Sequence, residues 1–342
     1  MATLSRSAHT AHPARVPMDE RAAPSPAPIR LIYIAGYGRS GSTLLDIALG
    51  TQPGIMGAGE VTTLARHVWP NGEYCACGAP VPDCPTWQPI VAGWQDGAVA
   101  EFLRDYRRMQ ERTEGLVGRY RRFGGRSRAE HAERTVRLFH SMAKVTGRAV
   151  LVDSSKLPGR GFALAGLAGV ELFVVHLVRD GRGVAWSLMK RHARQVEHGV
   201  QRDLKPKPVL YTAARWAMIN LATERLCRRL GPSHAMRVRY EDFVADPGAI
   251  IQAIVTRLNA APAPAGAAGP VTFTPQHQVA GSRHRMQRSI TVREDESWKT
   301  EMPRSRQILF TLACAVLLRR YGYPLRAPLV RDGALRPVAE RC

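Results

Sequence analysis

A short apolar run that ends in a glycine-rich loop constrains this chain more than any other feature of its 342 residues. Residues 31–36 read LIYIAG, which is typical of a strand buried on both faces of a parallel sheet. The loop GYGRSGST follows, and LLDIALG then has helical spacing up to Gly50, a candidate C-cap. We predict a strand, a glycine-rich loop and a helix, with order beginning at Ile29.

The loop fits two known patterns. Gly36, Gly38 and Gly41 satisfy G-x-G-x-x-G, and the same residues nearly satisfy the phosphate loop, except that Ser42 stands where nucleotide-cleaving enzymes have Lys. Both patterns place an anion at a helix N-terminus. The missing Lys weakens the ATPase or GTPase hypothesis. The guanidinium of Arg39 can instead form bidentate hydrogen bonds with two oxygens of a terminal anionic group.

A dinucleotide site is a further alternative. It needs an acidic residue about 20 positions after the loop, at the end of a second strand, to hold a ribose hydroxyl. Glu60 has this spacing, but we predict no strand before it. A glycine turn with a purely structural role also stays open.

Later segments continue the alternation of strands and helices. Apolar strands are expected at 149–152, 172–178 and 237–240, with helices at 182–199 and from Pro247. This order predicts an α/β fold with a parallel sheet flanked by helices, whose ligands bind beyond the carboxyl ends of the strands. The predicted organisation comprises a disordered leader (1–29), a single domain (30–325) with a helical and loop cap inserted at 60–148, a surface loop (260–270) and a C-terminal tail (326–342).

The charge and the composition narrow the function classes. With 49 Lys and Arg against 28 Asp and Glu, the net charge of +21 suggests a polyanionic partner. Much of the excess is arginine in the stretch 101–148, where the mixed-sign pattern at 101–123 is typical of a solvated helix. No secretory signal is visible, and the apolar run 308–318 is too short to span a bilayer. Six cysteines are too few for a disulfide scaffold. We therefore expect a cytoplasmic protein with no transmembrane segment.

Two motifs together resemble a known family. AGYGRSGSTLL is similar to the 5′-phosphosulfate loop of sulfotransferases, and HLVRDGRGVAWSLMKR resembles their 3′-phosphate motif. LVDSSK (151–156), VRYEDFVADP (238–247) and HQVAGSRHRMQRSI (277–290) extend the resemblance toward bacterial members and tyrosylprotein sulfotransferases. The family uses 3′-phosphoadenosine 5′-phosphosulfate (PAPS), releases adenosine 3′,5′-bisphosphate, and has a P-loop NTPase-like fold.

The resemblance implies residue roles. The catalytic candidates are Arg39 and Lys156, which would stabilise the leaving phosphate, and Glu60, which would take the acceptor proton. His67 and His176 are rival bases, although His176 lies in a strand and is expected in the core. The donor-binding candidates are Gly38, Arg39, Ser40, Gly41, Ser42, Thr43, Arg179, Ser187, Arg191, Tyr240, Gly281, Ser282 and Arg283.

Some of these residues have competing structural roles. Asp180 could simply cap the helix that follows it, Ser154 and Ser155 are expected to cap a turn, and Asp153 could hold its loop. Sulfuryl transfer requires no metal, so none is expected. The acceptor could be a hydroxyl or amine on a small molecule, glycan, lipid or peptide, including an acidic one. The oligomeric state is not evident.

Two further possibilities remain. Cys75, Cys77 and Cys84 resemble part of a zinc site, but a fourth ligand is missing unless His67 supplies it; the alternatives are a loop disulfide or a loop packed on Trp87. A P-loop kinase or a Rossmann-type enzyme is the rival within the enzymes. A basic nucleic-acid-binding protein is the rival from another class, but no recognisable nucleic-acid-binding motif accompanies the arginines, so no nucleic-acid partner is expected.

Overall fold

A five-stranded parallel sheet forms the centre of the protein in a computed structural model that describes residues 28–115, 125–191, 205–258 and 271–326. Parts of several predicted segments lie outside the described residues. These are residues 1–27 of the leader, 116–124 of the cap, 192–199 of the helix predicted over 182–199, the surface loop at 260–270, and 327–342 of the C-terminal tail. The strands run in the spatial order β2-β3-β1-β4-β5. They are β1 (Ile29–Ala35), β2 (Ile55–Gly57), β3 (Val150–Lys156), β4 (Val170–Val178) and β5 (Ala235–Arg239).

The sheet is buried on both faces, which explains the apolar runs within β1, β3 and β4. Leu31 and Tyr33 of β1 point into one core, and Ile32 and Ile34 point into the other. Helices cover both sides, and a third core joins the C-terminal helices. The predicted α/β class, with a P-loop-like unit of strand, loop and helix, is confirmed.

Eleven α-helices lie in the described parts of the chain. They are α1 (Ser42–Gly50), α2 (Trp87–Trp94), α3 (Val99–Thr113), α4 (Gly125–Thr146), α5 (Pro158–Leu164), α6 (Gly181–Met189), α7 (Val209–Leu230), α8 (Tyr240–Ala245), α9 (Pro247–Thr256), α10 (Trp298–Glu301) and α11 (Arg304–Arg320). Shorter helical turns cover Val61–Thr63, Leu64–Val68, Val81–Asp83 and Arg283–Met286, and β6 (Thr272–Phe273) pairs with β7 (Ile290–Thr291). None of these helices is long and apolar enough to cross a membrane.

Several elements differ from the sequence-based expectation. The strand expected at 149–152 extends to Lys156, and the one expected at 237–240 is Ala235–Arg239. The helix predicted over 182–199 ends at Met189, because Lys190 is extended. Gly50 is the last residue of α1, and Thr51 occupies the C-cap. The expectation that no strand precedes Glu60 is wrong: β2 ends three residues before it. With three residues, β2 is too short to show a recognisable alternation.

The strand order bears on the dinucleotide hypothesis. In a dinucleotide-binding fold, the strand that follows the first helix pairs directly with β1. Here β2 pairs with β3, and β3 separates it from β1. Glu60 therefore follows an edge strand, and this arrangement disfavours the dinucleotide hypothesis.

Candidate active site

The glycine-rich loop joins β1 to α1 under tight steric limits. A Cβ on Gly36, whose φ is 142°, would lie 2.3 Å from the carbonyl oxygen of Leu177. A Cβ on Gly41, whose φ is 90°, would lie 2.5 Å from the ring of Tyr240. Both positions therefore require glycine, for conformation and for space.

The N-terminus of α1 is suited to an anion. Gly41 caps the helix without a side-chain hydrogen bond, and the first turn carries no acidic residue. The first amide groups of a helix have no partner within it, so they can donate to a bound anion. The buried hydroxyl of Ser40 also has no hydrogen-bond partner among the described residues. Ser42 and Thr43 are buried beside it in the first turn of α1.

Arg39, a residue of the glycine-rich loop, contacts the segment 176–191. Its backbone is left-handed, with φ of 69°, and its Nε donates to Ser187 Oγ at 2.8 Å. Arg179 Nη1 donates to the carbonyl oxygen of Arg39 at 3.2 Å. Burial lowers the pKa of Arg39, and the nearby charges of Arg179 and Arg283 lower it further. This concentration of positive charge favours an anionic ligand.

Tyr240 and Asp295 hold Arg179 in place. The guanidinium of Arg179 lies 4.5 Å from the ring centroid of Tyr240, and its Nη2 is 3.1 Å from Asp295 Oδ2. Asp180 caps α6 by accepting from Arg182 N at 2.9 Å, as predicted. Asp180 therefore has a capping role, whereas Arg179 contacts the glycine-rich loop.

A second charged group lies at the end of β3. Lys156 and Glu60 form an ion pair, and their side chains are 16% and 20% exposed. Lys156 is the last residue of β3, which extends beyond the strand expected at 149–152, and its φ is 72°. Its carbonyl oxygen accepts from Gly36 N at 3.0 Å, which ties the end of β3 to the glycine-rich loop.

Residues 279–283 run between Glu60 and α1. Glu60 N donates to Val279 O at 2.8 Å, and Ser282 N donates to Thr43 Oγ1 at 3.1 Å. A Cβ on Gly281 would lie 2.8 Å from Thr43 Oγ1, so residues 279–283 pass close to the start of α1.

A cavity of about 570 Å³ lies beside the glycine-rich loop and the Glu60–Lys156 pair. It is lined by the loop residues Gly36, Gly38 and Arg39, by Glu60 and Lys156, and by the chain from Ala280 to Arg283. Part of the predicted cap supplies another wall, through Thr62, Arg66 and His67. The cleft can therefore place a donor and an acceptor next to the same carboxylate and ammonium groups.

The structure does not align Arg191 with Ser187. The prediction placed Arg191 one helical turn beyond Ser187, but α6 ends before it, and Arg191 is exposed in non-helical chain. The helical spacing on which its role in phosphate binding depended is therefore absent.

The capping roles of Ser154 and Ser155 are also wrong. Leu157 occupies the N-cap of α5, with no side-chain hydrogen bond. The hydroxyl of Ser155 instead accepts from Thr62 N at 3.0 Å and donates to Asp153. Asp153 holds its loop, as expected, through these bonds.

Sequence reasoning missed a buried ionic network beneath the cleft. Arg160, which is 1% exposed, lies between Asp153 and Glu114. Glu114 also accepts from Thr62 Oγ1 at 2.8 Å. Burial raises the pKa of Glu114, but the charge of Arg160 and the hydrogen bonds from His131 and Thr62 outweigh it and lower the pKa to about 2. No spacing signal links Glu114 to Asp153 and Arg160, because α4 lies between them in the chain. The network fixes Thr62 beside Glu60.

Comparison with known proteins finds one family model that matches part of the chain. Residues 171–262 match the family model described as "Sulfotransferase family". No curated protein matches the chain. The chain is similar in structure to the sulfotransferase domain of the Synechococcus PCC 7002 olefin synthase, with 16% identity, 89% of this chain and 98% of that chain covered, and a TM-score of 0.48.

Two other sulfotransferases are similar at comparable levels. The one from Alicyclobacillus acidocaldarius has 13% identity, a TM-score of 0.40, and coverage of 86% of this chain and 96% of that chain. The one from Mycobacterium avium has 12% identity, a TM-score of 0.44, and coverage of 89% and 79%. The region matched by the family model contains Arg179 and Ser187, the two residues that contact the loop arginine. Residues 171–262 of the chain are therefore similar to the sulfotransferase family.

Proposed function

We propose that this protein transfers a sulfuryl group from PAPS to a hydroxyl or amine acceptor, directly and in line. The observation that carries the proposal is the meeting of Arg39, Arg179 and Ser187 at the start of α1, which has no side-chain cap, beside the Glu60 and Lys156 pair. A donor with phosphate at both the 3′ and the 5′ positions needs two anion sites, and we assign one to the loop and the other to Arg179 and Ser187.

The 5′-phosphosulfate is assigned to the loop. The amide groups of residues 39–43 and the hydroxyls of Ser40, Ser42 and Thr43 supply donors to its oxygens. The unpartnered Ser40 hydroxyl and the lowered pKa of Arg39 both support an anion here. Gly38, Gly41, Gly281, Ser282 and Arg283 complete the proposed donor site.

The 3′-phosphate is assigned to Arg179 and Ser187. A guanidinium can hold two phosphate oxygens at once, and this second contact would distinguish PAPS from ATP. Arg179 is stacked on Tyr240, so it is held in position before the donor arrives. Arg191 is not needed for this assignment.

The transfer forms one S–O or S–N bond to the acceptor as the S–O bond to the 5′-phosphate breaks. The electron pair of the broken bond stays on the phosphate oxygen, and the acceptor proton goes to a base. Negative charge therefore builds up on the bridging oxygen, where a fixed cation lowers the barrier.

Lys156 is assigned to the bridging oxygen, together with Arg39. Its ammonium pairs with Glu60 before the donor binds, and the incoming phosphosulfate offers it a second anion. As Lys156 moves toward the donor, the Glu60 carboxylate becomes free to accept the acceptor proton. The ion pair therefore keeps the Lys156 ammonium and the Glu60 carboxylate next to each other before the donor binds.

His67 is the second candidate base. It lines the cavity, but its Nδ1 bonds Glu73 at 2.7 Å. His176 is buried in β4, where its Nε2 bonds Asn220 at 3.0 Å, which favours a core role. Glu60 is favoured over both because it lies beside Lys156.

Acceptor screening with ³⁵S-labelled PAPS tests the proposal. We expect transfer to at least one acceptor from panels of phenols, glycans, lipids and tyrosyl peptides, including acidic ones, because Arg66, Arg283 and Arg285 line the cavity. The Lys156→Ala variant should lose this transfer. Phosphoryl transfer from labelled ATP, in the absence of any transfer from PAPS, would favour the kinase alternative.

A further inference from the structure

Three cysteines and one histidine meet at a point outside the proposed transfer chemistry. The four residues are Cys75, Cys77, Cys84 and His277, and their ligand atoms all lie within 4.8 Å of one another. Cys75 and Cys84 are buried, and Cys77 is exposed. In the sequence the fourth ligand was missing unless His67 supplied it. His67 bonds Glu73 instead, and His277 lies at this position.

Four of the six separations between ligand atoms are close to those of a tetrahedron around one zinc ion. With Zn–S bonds of about 2.3 Å and Zn–N bonds of about 2.0–2.1 Å, tetrahedral geometry places two sulfurs about 3.8 Å apart, and a sulfur and a nitrogen about 3.6 Å apart. The Sγ atoms of Cys84 and Cys77 are 3.7 Å apart, and those of Cys84 and Cys75 are 3.6 Å apart. His277 Nδ1 lies 3.4 Å from Cys84 Sγ and 3.8 Å from Cys75 Sγ.

The same distances disfavour a disulfide, which requires sulfurs about 2.0 Å apart. A disulfide would also use two of the three cysteines and leave the third thiol and His277 without a role. From this set of ligands we propose that the chain binds one structural zinc ion through Cys75, Cys77, Cys84 and His277. Three thiolates and an imidazole suit zinc, and four protein ligands close the site to a reacting water.

The backbone around the cluster is shaped for this role. Cys75 N donates to Ala79 O at 2.8 Å, and Gly78 N donates to Cys75 O at 3.0 Å, which folds the C-A-C-G segment into a tight turn. Gly78 has a φ of 91°, a conformation that suits glycine. The turn compensates for the short C-x-C spacing by bringing Cys77 back toward Cys84. Trp87 Nε1 donates to His277 O at 2.6 Å and holds the histidine.

The zinc would connect two distant parts of the chain. Ala76 N donates to Gln278 O at 3.1 Å, and Val279 N donates to Ala58 O at 3.0 Å. Residues 277–282 then continue past Glu60 to Thr43. Metal binding would therefore fix the inserted segment and this strip of chain against the cleft, and its effect on transfer would be indirect.

Metal analysis of the full-length protein tests the proposal. Protein expressed in zinc-supplemented medium and purified under reducing conditions should carry about one zinc per chain. The Cys77→Ser variant removes the exposed ligand and should lose most of this zinc. The Cys314→Ser variant alters a buried cysteine that lies outside the cluster and donates to Ala213 O, so it should keep the zinc.

Two measurements on the wild-type chain avoid dependence on the folding of a variant. Mercurial titration should release zinc in proportion to the thiols modified, and exchange with Co²⁺ should give thiolate-to-cobalt charge-transfer bands with the d–d bands of a tetrahedral site. Zinc-free folded protein, iron in place of zinc, or a chain lighter by two hydrogens with a disulfide in the cluster would overturn the proposal. Equal zinc content in the Cys77→Ser and wild-type proteins would also overturn it.

Discussion

Replacement of Lys156 separates a catalytic role from a structural one, because the residue has a strained backbone and a charged side chain. Its φ of 72° lies in the left-handed region, which costs a residue with a Cβ about 1–2 kcal/mol. Glycine removes that cost, although it loses roughly 0.5–1 kcal/mol more chain entropy on folding. Lys156→Gly should therefore be more stable than Lys156→Ala by about 0.5–1 kcal/mol, a difference of about 1–3 °C in Tm.

Both variants lose the same ammonium group, so both should lose turnover equally. Removal of one group that stabilises charge in a transition state lowers kcat by about 10²–10³-fold, or about 2.7–4 kcal/mol. Urea denaturation and initial rates of ³⁵S transfer measure the two effects separately. Lys144→Ala, at an exposed position on α4, serves as the control and should match the wild type in both assays.

Turnover near the wild-type value in Lys156→Gly would refute the role given to the ammonium. Turnover that follows stability, with the glycine variant much more active than the alanine variant, would mean that Lys156 acts only through the fold. A glycine variant less stable than the alanine variant would refute the strain argument.

Three other changes test separate parts of the site. Arg179→Ala should raise the Kd for adenosine 3′,5′-bisphosphate about 10–150-fold by calorimetry, since hydrogen bonds to a charged group contribute about 1.5–3 kcal/mol, while turnover at saturating donor changes less. Glu60→Gln should lower kcat about 10²–10⁴-fold, with His67→Gln close to the wild type; the reverse pattern would make His67 the base. Burial raises the pKa of Asp46 from 3.8 to about 7, so the folded state holds a proton that the unfolded state releases. The free energy of unfolding should therefore fall as pH rises from about 4 to 7, and Asp46→Asn should flatten this slope in urea titrations; an unchanged slope would contradict the assignment.

The sequence was most informative where chemistry follows an apolar strand. The carboxyl ends of parallel strands lie along one edge of a sheet, so motifs after β1, β3, β4 and β5 had to meet there. This rule brought Arg39, Lys156, Arg179 and Tyr240 to one edge, as the structure has them. The roles of these residues in catalysis, the acceptor and the cytoplasmic location stay predictions.

The errors share a physical origin in contacts between distant parts of the chain. His277 joins cysteines that lie about 190–200 positions earlier, and nothing local to His277 signals this contact. Arg160 was not singled out in the sequence, and it is buried between two carboxylates from other elements. The early end of α6 at Met189 likewise has no glycine or proline to announce it.

The central claim is that the cleft binds a nucleotide with phosphates at both the 3′ and the 5′ positions. Calorimetry with adenosine 3′,5′-bisphosphate, ADP, ATP and NAD, supported by thermal shift with the same ligands and with DNA, tests this claim most directly. The account predicts tightest binding of the bisphosphate and stabilisation of about 2.7 kcal/mol when it is present at about 100 times its Kd. Binding of ATP, NAD or DNA without binding of the bisphosphate would contradict the account.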